Sequence, residues 1–310
     1  MARITDKRMT NLNLYLGCAV WSYSGWVGNF YPMKTKPQDF LHIYSQQFNT
    51  VEGNTTFYAI PQPKTIRKWT EETTARFKFC PKFPKTITHQ GLLEPKIDRA
   101  LNFCQIISGL ENKLGIIFAQ LPPNYSPQYI EDLKCFLQAI KSYNIALEVR
   151  HPDWFISPFK EQLNELLIEL NIARVLLDTR PIYNCQTGAF SNCGNRSGVA
   201  LQNDPQINSR RRKPNVPLEP IVTNQYAFVR FISHPEIEYN RAYLNEWAKQ
   251  VSKWLTADIT VYFFVHCPLE EKSPKTANYF KDLLATEGVV TDSITTNKIE
   301  KPIQLNLFES

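Results

Sequence analysis

The chain has 310 residues, 43% hydrophobic and 21% charged, with 35 Lys and Arg against 29 Asp and Glu and a formal net charge of +6. This balance excludes a disordered, collagen-like or coiled-coil polymer, and the length suits one large barrel or two ordinary domains. No apolar run reaches the roughly 18 residues needed to cross a bilayer and Met1–Asn11 lacks an apolar leader core, so a cytoplasmic chain with no membrane contact is expected.

Short apolar runs rich in β-branched and aromatic residues alternate with segments of 3.6-residue period. Leu14–Val20 comes first, and a helical segment opened by Pro37 leads to Thr50–Asn54. Pro63 opens the segment before Arg76–Lys82, and Pro95 opens the one before Leu114–Leu121. Proline suits a first helical turn, where its missing N–H costs nothing. After Pro127, the residues Ile130, Leu133, Phe136, Leu137 and Ile140 form one stripe, followed by the run Ile145–Arg150. Phe159, Leu163, Leu166, Leu167 and Leu170 form the next stripe, before Arg174–Asp178. Tyr226–Ile232 and Ile259–His266 flank a third stripe of Tyr243, Trp247, Val251 and Trp254. Strand–helix alternation implies a parallel sheet, and eight such units imply a single closed (β/α)8 TIM-type barrel over residues 12–290. Residues 1–11 read as a flexible N-terminus and 291–310 as a flexible C-terminal tail. The long polar stretch 179–224 reads as a loop insert between strands 6 and 7; its basic run Arg210–Arg211–Arg212–Lys213 favours a DNA partner, with plain solvated surface as the alternative.

A barrel of this kind works at the carboxyl ends of its strands, and period-two alternation says which residues face inward there. Charged side chains do not face a helix layer cheaply. This places Glu52 and Asn54, Lys82, Gln120, Glu148 and Arg150, Asp178, Arg230 and His266 at the mouth. Glu52, Glu148, Lys82 and Asp178 are the candidate catalytic groups; the alternative is a buried network in which the charges only satisfy one another. Trp21, Tyr23, Tyr58, His89, His151 and Trp154 follow strand ends and offer rings or imidazoles to a substrate, although each ring alone would equally pack a loop. His89, His151, His234 and His266, with the carboxylates, would supply ligands for a divalent metal, yet no HExxH spacing occurs. Neither a Walker A loop nor GxGxxG is present, so no nucleotide cofactor is expected. Seven widely spaced cysteines without a CxxC fit a reducing compartment; Cys185 and Cys193 are the only close pair.

The runs Gly17-Cys18-Ala19-Val20-Trp21-Ser22-Tyr23, Phe30-Tyr31-Pro32, Thr50-Val51-Glu52-Gly53-Asn54-Thr55-Thr56-Phe57-Tyr58, Thr88-His89, Gln120-Leu121-Pro122-Pro123 and Glu148-Val149-Arg150-His151 with Trp154 carry a resemblance. Together they resemble the YecE-like family, domain of unknown function seventy-two, over nearly the whole chain. The resemblance implies a TIM-type barrel and a recurrent polar set, here Glu52, Asn54, Tyr58, Lys82, His89, Gln120, Glu148, Arg150, His151 and Arg230; it implies no reaction. The chain departs from the family pattern at Cys18-Ala19-Val20, at Ile232-Ser233 after Arg230-Phe231, and at His266.

Gln304-Leu305-Asn306-Leu307-Phe308 resembles the peptide by which bacterial DNA-processing proteins dock on the sliding clamp. Gln304, Leu305, Leu307 and Phe308 would be the docking residues, held near DNA by a tether that raises effective concentration. The leading expectation is a DNA-associated enzyme, a phosphodiesterase-like or nuclease-like hydrolase or one acting on damaged nucleotides, recruited by that peptide. Lys82, Arg150 and Arg230 would hold phosphate oxygens, and Glu52 and Glu148 would serve as acid, base or metal ligands. A barrel enzyme on a small sugar or phosphorylated metabolite, and a non-catalytic adaptor, are the alternatives.

Overall fold

A computed structural model describes residues 13–184 and 213–289. The N-terminal segment, most of the 179–224 insert, Cys185 and Cys193, and the tail with its clamp-like peptide lie outside those residues.

All eight expected strands form, each within its apolar run except β6, which begins one residue earlier. They are β1 (Leu14–Cys18), β2 (Thr50–Gly53), β3 (Lys78–Pro81), β4 (Ile117–Gln120), β5 (Ile145–Glu148), β6 (Ala173–Asp178), β7 (Tyr226–Ile232) and β8 (Thr260–His266). Between them run α1 (Phe40–Gln47), α2 (Thr55–Tyr58), α3 (Pro63–Glu72), α4 (Lys85–Thr88), α5 (Ile97–Ile107), α6 (Ile130–Ile140), α7 (Phe159–Glu169), α8 (Arg180–Tyr183), α9 (Arg241–Thr256) and α10 (Ser273–Thr286). Pro63 occupies the first turn of α3, where its fixed φ favours entry. Leu133, Phe136, Leu137 and Ile140 are the buried side of α6, as their spacing requires. Among the described residues no helix is long and apolar enough to cross a membrane.

All strand pairs are parallel, but they do not close. A six-stranded sheet runs β1-β8-β7-β6-β5-β4, and β2-β3 form a separate two-stranded sheet. The closed eight-stranded barrel expected from the alternation is therefore corrected to an open α/β fold, a half-barrel with a small second sheet. The reason is local. Beside β1, side chains take the bonds that a β1–β2 ladder would use. Asn49 Oδ1 accepts from the Leu16 amide and Asn49 Nδ2 donates to the Leu14 carbonyl, both at 2.8 Å. The Tyr44 hydroxyl accepts from the Cys18 amide at 2.7 Å and donates to the Thr50 carbonyl at 3.1 Å. The backbones still approach closely: a Cβ on Gly17 would lie 2.0 Å from the Thr50 carbonyl oxygen. Between β3 and β4 only isolated bridges form, Phe79 with Leu114 and Lys82 with Phe118. Pro81 between them has no N–H to give.

Two apolar layers hold the fold. The larger lies between strands and helices and includes Trp26, Phe103, Phe136, Trp247 and Phe280. The smaller lines the concave side of the strands, with Cys80, Ile116, Phe118, Ala146, Ala173, Val175, Phe228, Tyr262 and Phe264.

Removing one hydroxyl tests the seam. Tyr44→Phe leaves the buried Cys18 amide without its acceptor and should lower stability by about 1–3 kcal/mol in urea unfolding. An unchanged midpoint would show that the hydroxyl does not hold the seam.

Candidate functional site

The inner apolar layer ends one step short of the strand ends, and the next inward residue on most strands is polar. Phe118 is followed on its face by Gln120, Ala146 by Glu148, Cys80 by Lys82, Phe228 by Arg230 and Phe264 by His266. Glu52, Lys82, Gln120, Glu148, Arg230 and His266 are all buried. They form a charged cup floored by aromatic rings.

Arg230 is its centre. Its Nε donates to Glu52 Oε2 at 2.7 Å and one Nη to Glu52 Oε1 at 2.8 Å, while the other Nη pairs with Glu148 Oε2. Asn54 donates to Glu52 Oε1 at 2.9 Å and to the Ala19 carbonyl at 3.0 Å. His266 Nε2 lies 2.9 Å from Glu52 Oε2. Glu148 Oε1 receives Arg150 Nε and, at 2.8 Å, the Gln120 amide. The other end of that amide, Gln120 Oε1, accepts from Lys82 Nζ at 2.8 Å. All four carboxylate oxygens are thus engaged. Lys82, by contrast, makes one hydrogen bond and no ion pair among the described residues. Its ammonium lies 4.0 Å from the centre of the Phe57 ring, a cation–π contact that leaves donors free.

The charges follow from this packing. Burial alone would raise both carboxyls, but Arg230 and His266 hold Glu52 well below the carboxylate range, and Arg150 and Arg230 bring Glu148 to about 2. Burial, then Arg230, brings Lys82 down to about 7. Burial brings His266 to about 4 despite Glu52, so at neutral pH it is an uncharged imidazole donating Nε2–H to that carboxylate. His89 reaches about 4 through burial, Lys82 and Arg150. It packs edge-on to Phe57 and shares a hydrogen bond between its Nδ1 and the Thr88 hydroxyl.

Other sequence candidates fall outside the cup. Asp178 does not face the mouth. Val175 lies on the inner face of β6, so Asp178 takes the opposite parity and lies against the helices. There it is bound by Arg180 and by Trp247 Nε1 at 2.7 Å. His151 turns back onto its own loop, accepting from the Asp153 amide at 3.3 Å. Trp154 is fully buried and donates to the Tyr125 carbonyl at 2.8 Å. Trp21 packs edge-on against Trp69 and Phe79. Tyr58 is exposed and Tyr23 reaches Glu271, at 3.4 Å. These tryptophans and His151 pack against or hydrogen-bond with other residues of the chain. Phe57 and Phe118, which floor the cup, were legible only as rim aromatics or strand core. Glu270 was not legible: its buried Oε1 has no partner among the described residues, and burial lifts its carboxyl to about 8 against Ser273 and Lys213.

A divalent metal does not suit this donor set. Guanidinium groups already occupy the carboxylate oxygens, and among the described residues no group of three or more His, Cys, Asp or Glu could hold an ion. His234 lies apart, its Nδ1 accepting from the Glu236 amide at 3.0 Å.

The sequence profile of a family described as "Protein of unknown function DUF72" matches residues 15–300. The UPF0759 protein YecE of Escherichia coli (strain K12) is 32% identical over 264 residues, covering 84% of this chain and 89% of that protein. The UPF0759 protein YunF of Bacillus subtilis (strain 168) is 31% identical over 157 residues, 48% of this chain and 55% of that protein. Among solved structures, a DUF72 family protein from Enterococcus faecalis V583 gives a TM-score of 0.64 at 16% identity, covering 88% of this chain and 95% of that one. One from Thermotoga maritima MSB8 gives 0.61 at 21% identity, covering 88% and 99%.

The charge pattern predicts acid sensitivity. Glu148 stabilises the fold above its ordinary 4.5, and that contribution is lost as pH falls toward about 2. His266 and His89 stay neutral to about 4 against an ordinary 6.5, so their share is lost between those values. Glu270, lifted to about 8, acts in the opposite sense and adds stability as pH falls from 8 toward 4.5, so the net loss should be plainest below 4.5, where denaturant unfolding should show stability falling down to pH 3. A flat profile would contradict the network. Glu148→Gln should cost about 3–5 kcal/mol, because it leaves buried guanidinium charge uncompensated.

Proposed function

Because this chain belongs to the DUF72 family, whose name carries no reaction, we propose its function from the cup: an enzyme acting on a phosphate-bearing substrate, with phosphodiesters and damaged nucleotides of DNA as the favoured class. The observation that carries this reading is Lys82, a buried ammonium with donors to spare and no carboxylate partner among the described residues. A cation in that state is satisfied by an anionic ligand. Glu52 and Glu148 serve in this reading as anchors, since every oxygen they have is used to hold Arg230, Arg150, Gln120, Asn54 or His266. Lys82 and the remaining guanidinium donors of Arg150 bind the phosphoryl oxygens and stabilise charge that develops on them. His89, neutral at pH 7, orients the attacking water. As the water oxygen bonds phosphorus the P–O ester bond breaks, the water's proton passes to solvent, and the Lys82 ammonium protonates the leaving oxygen.

Nicked, abasic and single-stranded DNA, each with and without Mg, Mn or Zn, are the substrates to screen. Turnover should appear on at least one and drop by about a hundredfold or more in Lys82→Met, the usual scale for one such electrostatic group. The rate should fall as pH rises through about 7, where Lys82 loses its proton. Turnover untouched by Lys82→Met, or none on any substrate, would remove the proposal.

Recruitment to DNA by the sliding clamp accompanies this reading. Its support is the sequence Gln304-Leu305-Asn306-Leu307-Phe308, which lies beyond the residues that match the family. Calorimetry against a purified bacterial clamp should give micromolar binding, about −8 kcal/mol, that is lost in Leu307→Ala/Phe308→Ala. No heat with the intact chain would dissociate the tail from the clamp.

A further inference from the structure

The short helix α2 is fastened to the rim of the cup by polar residues of its own. Asn54, just before it, donates to Glu52 Oε1 at 2.9 Å and to the Ala19 carbonyl at 3.0 Å. The buried Thr56 hydroxyl accepts from the Lys82 amide at 2.9 Å and donates to the Lys82 carbonyl at 2.6 Å. The backbone that carries Phe57 and Tyr58 is thus held from the ends of both β2 and β3. Phe57 turns inward, 4.0 Å from the Lys82 ammonium and edge-on to His89 at 5.0 Å. The Tyr58 ring stands edge-on to Phe57, with centres 5.2 Å apart and planes at 86°. Yet Tyr58 is 73% exposed. On its outer side the exposed Lys85 places its ammonium 5.9 Å from the Tyr58 ring centre.

A single exposed ring is ordinary on a protein surface. Its position here is not. Two steps of 4.0 and 5.2 Å lead from the buried ammonium of Lys82, through Phe57, to the open ring of Tyr58. An anionic chain crossing that ring meets positive charge on either side, Lys82 within and Lys85 without. A nucleic acid strand repeats the matching order of phosphate, flat base and phosphate. Proteins that hold single strands combine cations for the backbone with aromatic faces for the bases. A tyrosine on a fixed backbone suits this, because only two side-chain torsions need ordering. A base inside a duplex has no free face to offer. We propose that Tyr58 is the stacking platform for an unpaired base of the nucleotide whose phosphate Lys82 holds. This rests on the phosphate reading above and narrows its substrate to nucleotides with an unstacked base, in preference to sugar phosphates.

The test uses the full chain and two ligands that differ in the base, deoxyribose 5-phosphate and thymidine 5′-phosphate. Calorimetry is run slightly below pH 7, where Lys82 keeps its proton. The nucleotide should bind about tenfold or more tightly than the sugar phosphate, the scale of one stacked base. Tyr58→Ala should bring the nucleotide down to the level of the sugar phosphate. Tyr58→Phe should keep the advantage, because the ring face and not the hydroxyl makes the contact. The exposure of Tyr58 means that both variants should fold, and an unchanged urea midpoint checks this. Equal affinity for the two ligands in the intact chain, or an advantage that survives Tyr58→Ala, would overturn the platform and leave the phosphate reading standing. Binding of neither ligand by the folded intact chain would overturn the phosphate reading and the platform with it.

Discussion

The guanidinium of Arg230 is the constraint around which the rest is arranged. It joins β7 of the large sheet to Glu52 of the small one and to Glu148 of β5. The two sheets share no continuous ladder, so this bidentate grip spans a place where the backbone does not. Buried ion pairs are poor sources of net stability, because desolvating each charge costs several kcal/mol, but removing one partner is expensive. The arrangement therefore fixes geometry more than it adds free energy. The aromatic floor supports it: Arg230 stacks 4.9 Å from the Phe118 ring centre. Asn54, His266, Gln120 and Arg150 are oriented by the pair of carboxylates that Arg230 aligns, and Gln120 in turn holds Lys82.

The separation between anchored and unanchored charge follows. Glu52 and Glu148 are ionised well into acid because cations surround them. Burial, and after it the same Arg230, loosens the proton of Lys82. One site thus holds firmly fixed anions beside a labile ammonium, and that ammonium is where ligand and proton exchange meet. An acid–base site built from free carboxylates would have the opposite polarity.

Much of this was legible in the sequence. The rule that a charged side chain avoids the helix layer places Glu52, Lys82, Gln120, Glu148, Arg230 and His266 on the inner face, where they are found. It misleads at β6, where Asp178 is charged yet lies on the helix side. The partners that draw Asp178 outward, Arg180 and Trp247, come later in the chain. Closure was illegible for a similar reason. The count of strands says nothing about Asn49 and Tyr44, whose side chains take over the edge of β1.

The borrowed bonds along β1 have a consequence beyond the fold. An exposed strand edge is a template onto which another chain can add a strand, and proteins guard such edges with bulges, charges or covers. Here the Leu14 carbonyl and the Leu16 and Cys18 amides are already bound by Asn49 and Tyr44. The large sheet can stop at β1 without offering a row of vacant donors and acceptors, so an open architecture is protected from edge-to-edge aggregation by two side chains instead of a seventh hydrogen-bonded strand.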